Sequence, residues 1–109
     1  MYKRIMVPLD GSPLAEQALT HATAQAERFE AEIILLKVLE PLPEATLTSP
    51  ASVQRAEQLS AQLARDYLER IADPIRDEDI AVEIALLEGK PYVEIVRFAA
   101  ETEIDMFVM

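Results

Sequence analysis

The chain has no cysteine, and this absence narrows the kinds of site that its 109 residues can build. Without cysteine there is neither a disulfide framework nor a thiolate metal site. His21 is the single histidine, so no imidazole pair is available for a metal, and we predict no metal-binding residues. The sequence also lacks a signal-peptide pattern and any apolar run long enough to cross a bilayer. We therefore expect a cytoplasmic protein with no membrane partner.

Positive charge is scarce as well. Ten basic residues stand against twenty acidic ones, and the formal net charge is −10. Because clustered Lys and Arg are what attract a phosphate backbone, we expect no nucleic acid partner. A small anion such as a nucleotide is still allowed, since helix N-termini or a bound metal can outweigh the average field. The length suits one domain, which we assign to residues 1–109.

Apolar runs of strand length alternate along the chain with amphipathic stretches of helix length. This alternation is typical of an α/β protein, an open parallel sheet with helices on both faces. It predicts strands at 3–9, 32–38, 80–87 and 104–109, and helices at 13–29, at 51–71 and after Pro91. The second strand is almost wholly apolar, which favours a central position. Glu83 interrupts the third strand, which favours an edge.

Helical spacing predicts which side chains face the sheet. The predicted inward positions are Ala15, Ala18, Leu19, Ala22, Ala26 and Phe29 in the first helix, Val53, Ala56, Leu59, Leu63, Tyr67 and Ile71 in the second, and Tyr92, Ile95, Val96 and Ala99 in the third. Segment 40–50 contains three prolines and is predicted to be an irregular loop. Both a lid-like role and disorder remain open for it.

The first strand runs directly into Asp10, Gly11 and Ser12 before a helix begins at Pro13. Asp10 therefore lies at the carboxyl end of a strand, where open α/β sheets bind ligands. The alternative is that Asp10 only closes a turn with its own backbone and Ser12 only caps the helix. We favour a ligand role for Asp10 and a cap role for Ser12. No Gly-x-Ser-x-Gly elbow occurs, and we predict no catalytic residues.

Four segments, in this order, resemble the universal stress protein family. They are Val7-Pro8-Leu9-Asp10-Gly11-Ser12, Leu35-Leu36-Lys37-Val38, Gly89-Lys90-Pro91 and Ile104-Asp105-Met106-Phe107-Val108-Met109. The resemblance covers the whole chain and implies a flavodoxin-like, adenine nucleotide α-hydrolase-like fold. Such a fold has five parallel strands, with the first and fourth adjacent.

The resemblance also implies a function. It indicates a stress-response regulator that binds an adenine nucleotide, ATP or AMP with Mg, at the carboxyl ends of the first and fourth strands. The protein would be a homo-oligomer, paired through a sheet edge or through a further C-terminal strand, and not an enzyme beyond very slow ATP hydrolysis. An alternative is a nucleotide-independent dimerising module with an unknown protein partner. An ATP-using enzyme is less favoured, because neither His-x-Gly-His nor Ser-Gly-Gly-x-Asp-Ser occurs.

The same resemblance assigns the nucleotide-binding residues. Pro8, Leu9 and Asp10 would lie beside the adenosine, with Asp10 on the ribose hydroxyls or near a phosphate-bound metal. Ser12 would lie close by, Val38 would touch adenine, and Met109 would close the pocket from the fourth strand. From the residues alone, Val38 and Met109 are the ends of apolar strands, and core packing is the favoured interpretation, so their place in the site rests on the resemblance.

Nucleotide-binding members of the family carry a Gly-x-x-Gly loop after the fourth strand, whose amides hold the phosphates. The only glycines in this chain are Gly11 and Gly89. We therefore expect the natural protein to continue past Met109 through the last helix and strand. We expect the 109-residue form to bind nucleotide weakly or not at all.

Overall fold

The computed structural model describes residues 3–40 and 50–108, apart from the side chain of residue 50. Strands and helices alternate within these residues, which confirms the predicted α/β class. The elements are β1 (Arg4–Pro8), α1 (Pro13–Phe29), β2 (Glu32–Leu39), α2 (Pro50–Arg76), β3 (Val82–Glu88), α3 (Pro91–Thr102) and β4 (Met106–Phe107). None of these helices, as far as the chain is described, is long and apolar enough to cross a membrane.

The described strands form one parallel sheet in the order β3-β2-β1-β4. This order confirms three predictions. β2 lies in the interior of the sheet, β3 lies at an edge, and β1 is adjacent to β4. Ile5 of β1 pairs with Ile33 on one side and with Met106 on the other. β4 covers only two residues of the predicted 104–109 strand, and Met109 lies outside the described residues.

Two layers of helix cover the sheet. Side chains alternate across the pleat, so Val7 and Leu35 join the core that α1 and α2 cover, together with small alanines such as Ala22. Met6 and Leu36 point to the other face and are also buried. There α3 packs against β2 and β3. This arrangement leaves the carboxyl ends of β1 and β2 between the starts of α1 and α3.

Two positions of the predicted inward stripe of α2, Leu59 and Leu63, are wrong. Leu59 and Leu63 are 61% and 60% exposed, whereas Ala64 and Leu68 are buried. The buried positions are offset by one residue, a rotation of about 100° around the helix. α2 is also longer than predicted and ends at Arg76, so its second half covers the sheet. Leucines occur on both faces of α2, and spacing alone does not tell which face meets the sheet.

Three other positions predicted to face inward are exposed. Tyr92 and Val96 are 82% and 53% exposed, while Ile95 of the same helix is partly buried. The inward face of α3 is therefore narrower than the apolar stripe in its sequence. Phe29 is the last residue of α1, just before the turn into β2, and its ring is covered by the Lys3 ammonium, 4.4 Å from the ring centroid.

Candidate functional site

A cavity of about 520 Å³ opens at the carboxyl ends of β1 and β2. It brings together five of the six residues predicted for the site, namely Pro8, Leu9, Asp10, Ser12 and Val38. The sixth, Met109, lies outside the described residues. Further lining residues are Leu14, Ala15, Leu36, Lys37, Leu39, Glu40, Pro91 and Ile95. The ends of β1 and β2 and the starts of α1 and α3 therefore converge on one concave surface. It lies at the edge where parallel α/β sheets bind ligands.

A second cavity, of about 590 Å³, lies at the opposite edge of the sheet, between the end of α1 and the start of β3. Its polar lining is acidic, with Glu27, Glu30, Glu78 and Asp79. None of the residues predicted for the site lies there, and its charge disfavours an anionic ligand. The cavity at the carboxyl edge is therefore the candidate site.

The turn after β1 is fixed by hydrogen bonds within the chain. The Ser12 N–H donates to Asp10 Oδ1 at 2.9 Å, and the Ala15 N–H donates to Ser12 Oγ at 3.1 Å. Gly11 has φ +87°, a conformation that glycine adopts without strain. The turn role of Asp10 and the cap role of Ser12 are therefore both present. A carboxylate has about four acceptor positions, so the turn bond leaves capacity for a ligand hydroxyl.

The charge of Asp10 is favoured by the same turn. Hydrogen bonds from Ser12, the hydroxyl first and the N–H second, hold the pKa of Asp10 below its ordinary value. Burial acts in the opposite direction, and the Lys37 ammonium adds the smallest lowering effect. A charged, solvent-exposed carboxylate therefore stands at the rim of the cavity, held by the start of α1.

Sequence reasoning missed a contact between β2 and α2 at this edge. The Lys37 ammonium lies 5.1 Å from the centroid of the Tyr67 ring. The Tyr67 hydroxyl is buried and makes no well-formed hydrogen bond in the described part of the chain, although Glu16 and Gly11 lie beside it. Burial first, and then the Glu16 carboxylate, raise the pKa of Tyr67. A lysine in an otherwise apolar central strand was the one signal for this contact.

The remaining walls of the cavity are mostly apolar. Leu14 is exposed at the mouth, and Pro91 and Ile95 line the side formed by α3. Leu9 is buried in the core, whereas Val38 is only partly buried and so can contact a ligand. Such walls suit a planar, weakly polar group, and the polar groups on the rim can fix its orientation.

No group of three or more His, Asp or Glu side chains that could hold a metal occurs within residues 3–40 and 50–108. His21 is exposed on α1. Asp77, Glu78 and Asp79 are exposed in the turn after α2.

The model of the Universal stress protein family matches residues 1–109. A universal stress protein of Methanocaldococcus jannaschii, MJ0531, is 29% identical over 109 residues, and the chain spans 64% of that protein's length. The solved structure of MJ0577 superposes with a TM-score of 0.83 at 30% identity, covering 100% of this chain and 74% of the other. A universal stress protein from Archaeoglobus fulgidus, solved in complex with dAMP, has a TM-score of 0.68 and 25% identity, covering 97% of this chain and 78% of the other.

Proposed function

The chain belongs to the universal stress protein family, and from that premise we propose that it is a stress-response regulator that binds an adenine nucleotide. The observation that carries the proposal is the cavity at the carboxyl edge, which joins the charged Asp10 to the apolar Val38. The related Archaeoglobus fulgidus protein was solved with dAMP, a ligand of the same chemical class.

The residues of the cavity suit the parts of a nucleotide. The adenine would pack against Val38, with Pro8 and Leu9 forming the floor beneath the sugar. Asp10 would accept a hydrogen bond from a ribose hydroxyl, or take a metal carried by the phosphates of ATP, since Mg²⁺ binds through one or two carboxylates and phosphate oxygens. Ser12 caps α1, whose N-terminus favours negative charge. Met109 is proposed to complete the pocket from the fourth strand.

We infer a binding role and, at most, very slow turnover of ATP. The carboxylate at the cavity is held charged by its turn, so it is a poor general base near neutral pH, where the best bases have a pKa near 7. Regulation would follow if AMP or ATP bound one conformation of the protein better than another. We propose that this regulator works in the cytoplasm as a homo-oligomer and does not bind nucleic acid.

The test is an NMR titration of the ¹⁵N-labelled chain with AMP, using GMP as the matched control. We expect amide signals of Gly11, Ser12 and Val38 to move progressively with AMP, with an affinity of about millimolar for this weak site. Smaller shifts are expected with GMP. Equal shifts with both nucleotides, or shifts only at the acidic cavity, would refute adenine nucleotide binding at this site.

A second function, a nucleotide-independent dimerising module, is favoured by the apolar surface of α3 and β4. Tyr92, Val93 and Val96 on α3 and Phe107 on β4 are exposed, although each is large and apolar. Such surfaces often mark interfaces. Sedimentation velocity of the chain with and without AMP separates the two functions. If the chain sediments as a dimer and AMP leaves its NMR spectrum unchanged, the dimerising module replaces nucleotide binding as the proposed function.

A further inference from the structure

The first half of α2 presents two leucines to solvent. Leu59 and Leu63 are more than half exposed, and no residue from 51 to 63 is buried. α2 has 27 residues, a length of about 40 Å, whereas β3, a strand on which it packs, has seven residues and spans about 23 Å. α2 therefore extends past the end of the strands. Its two exposed leucines form an apolar surface there, which we call the α2 stripe.

α2 also differs in charge from the chain as a whole. It carries four acidic residues and four arginines, so its formal net charge is zero, whereas that of the chain is −10. When two copies of an acidic protein approach each other, their like charges repel and oppose contact. A surface without net charge avoids most of this repulsion at close range. The α2 stripe is therefore suited to contact with a second copy of the chain.

Two residues of opposite charge flank the α2 stripe on one side. At about 100° per residue, Leu59 and Leu63 lie on either side of a line along the helix. Arg55 and Asp66 both lie about 40° to 60° from that line, on the side of Leu59. Both are exposed, and Asp66 accepts a hydrogen bond from Gln62 Nε2 at 2.9 Å. Arg55 forms no ion pair within the described ranges, so its charge is available to a partner.

We propose that α2 pairs with α2 of a second copy, antiparallel about a two-fold axis level with residue 61. Leu59 of each copy then meets the partner's Leu63, because the two leucines are equally far from the axis. Arg55 and Asp66 are almost equally far from it and lie on the same side of the α2 stripe. Each Arg55 therefore faces the partner's Asp66, and the two-fold axis makes this ion pair twice.

This assignment rests on the homo-oligomer proposed above and is independent of nucleotide binding, because no residue of α2 lines the cavity at the carboxyl edge. Four leucines at the centre of the contact bury little area compared with the roughly 1,600 Å² of a standard interface. We therefore expect a weak dimer, with a dissociation constant of about 0.1 mM.

Sedimentation equilibrium at up to about 1 mM protein tests the pairing through its charges. Arg55→Glu places two carboxylates opposite each other at both ends of the contact, and Asp66→Arg places two guanidinium groups there. Each variant alone should self-associate about fivefold or more weakly than the wild type. An equimolar mixture of the two variants restores both ion pairs, so association should return to within about threefold of the wild type. Unfolding of either variant cannot produce this recovery.

A second pair of variants tests the apolar part of the contact. Leu63→Ala should weaken self-association about tenfold, since the change occurs twice in the dimer. Val96→Ala is the matched control, because Val96 is exposed to a similar extent on α3, and it should stay within about twofold of the wild type.

The outcomes separate the failure of the α2 contact from the failure of the homo-oligomer. A wild type that stays monomeric at every concentration would overturn both. A dimer that Val96→Ala weakens at least as much as Leu63→Ala would overturn pairing through α2 and leave the homo-oligomer in place. The same conclusion would follow if the mixture of Arg55→Glu and Asp66→Arg associated no better than either variant alone.

Discussion

Replacing Leu68 by Ala tests which face of α2 covers the sheet. Leu68 is fully buried in the core between α2 and the sheet, in the same cluster as Leu35. Leu63 lies five residues earlier on the same helix and is more than half exposed. The two leucines have the same intrinsic helix propensity, so Leu63→Ala is a matched control for Leu68→Ala.

The expected magnitudes are far apart. Removing a fully buried leucine costs about 3 kcal/mol, from lost transfer free energy and from the cavity left behind. Leu63→Ala should change the free energy of unfolding by less than about 0.5 kcal/mol, because its side chain stays largely in water in both states. A domain of this size typically has about 5 to 15 kcal/mol of stability, so the Leu68 variant should still fold.

Urea unfolding followed by circular dichroism measures both changes. With a slope of about 1.5 kcal/mol per molar, the midpoint should fall by about 2 M for Leu68→Ala and stay nearly constant for Leu63→Ala. If Leu63→Ala lowers the midpoint as much as Leu68→Ala, the sheet-facing stripe runs through Leu59 and Leu63. The packing of α2 described above would then be wrong.

Three further substitutions test the loops. Asp10→Asn keeps an acceptor for the Ser12 N–H but loses the charge that the turn favours, so the melting temperature should fall only slightly. AMP binding in the NMR titration should weaken about threefold or more, and unchanged affinity would remove Asp10 from the site. Gly89→Ala should cost about 1 to 3 kcal/mol in urea unfolding, since φ is +140° and a Cβ would lie 2.9 Å from Glu94 Cγ. Glu30→Gly should stabilise the chain by about 0.5 to 1 kcal/mol, because Glu30 ends α1 with φ 52°.

The residues themselves predicted the alternation of strands and helices and the turn that begins α1. These features depend on neighbours in sequence, such as Ser12 capping the helix that Pro13 begins. The contact between β1 and β4 came from the family resemblance, because alternation alone leaves strand order open. The burial of Leu59 and Leu63 was mispredicted, since the leucines of α2 fall on two faces. The Lys37 and Tyr67 contact joins residues far apart in sequence, and no local pattern specifies such a pair.

The place of β1 inside the sheet has a consequence for the order in which the chain can fold. Ile5 finds its first partner at Ile33, but its second, Met106, lies about a hundred residues away. Closing the longer loop costs only about 1 kcal/mol more in chain entropy than closing the shorter one. Synthesis, however, delivers the second partner late, at about 5 to 20 residues per second. For several seconds one edge of β1 is therefore uncovered on the ribosome, and the nascent chain is most exposed to aggregation and to chaperones during that interval.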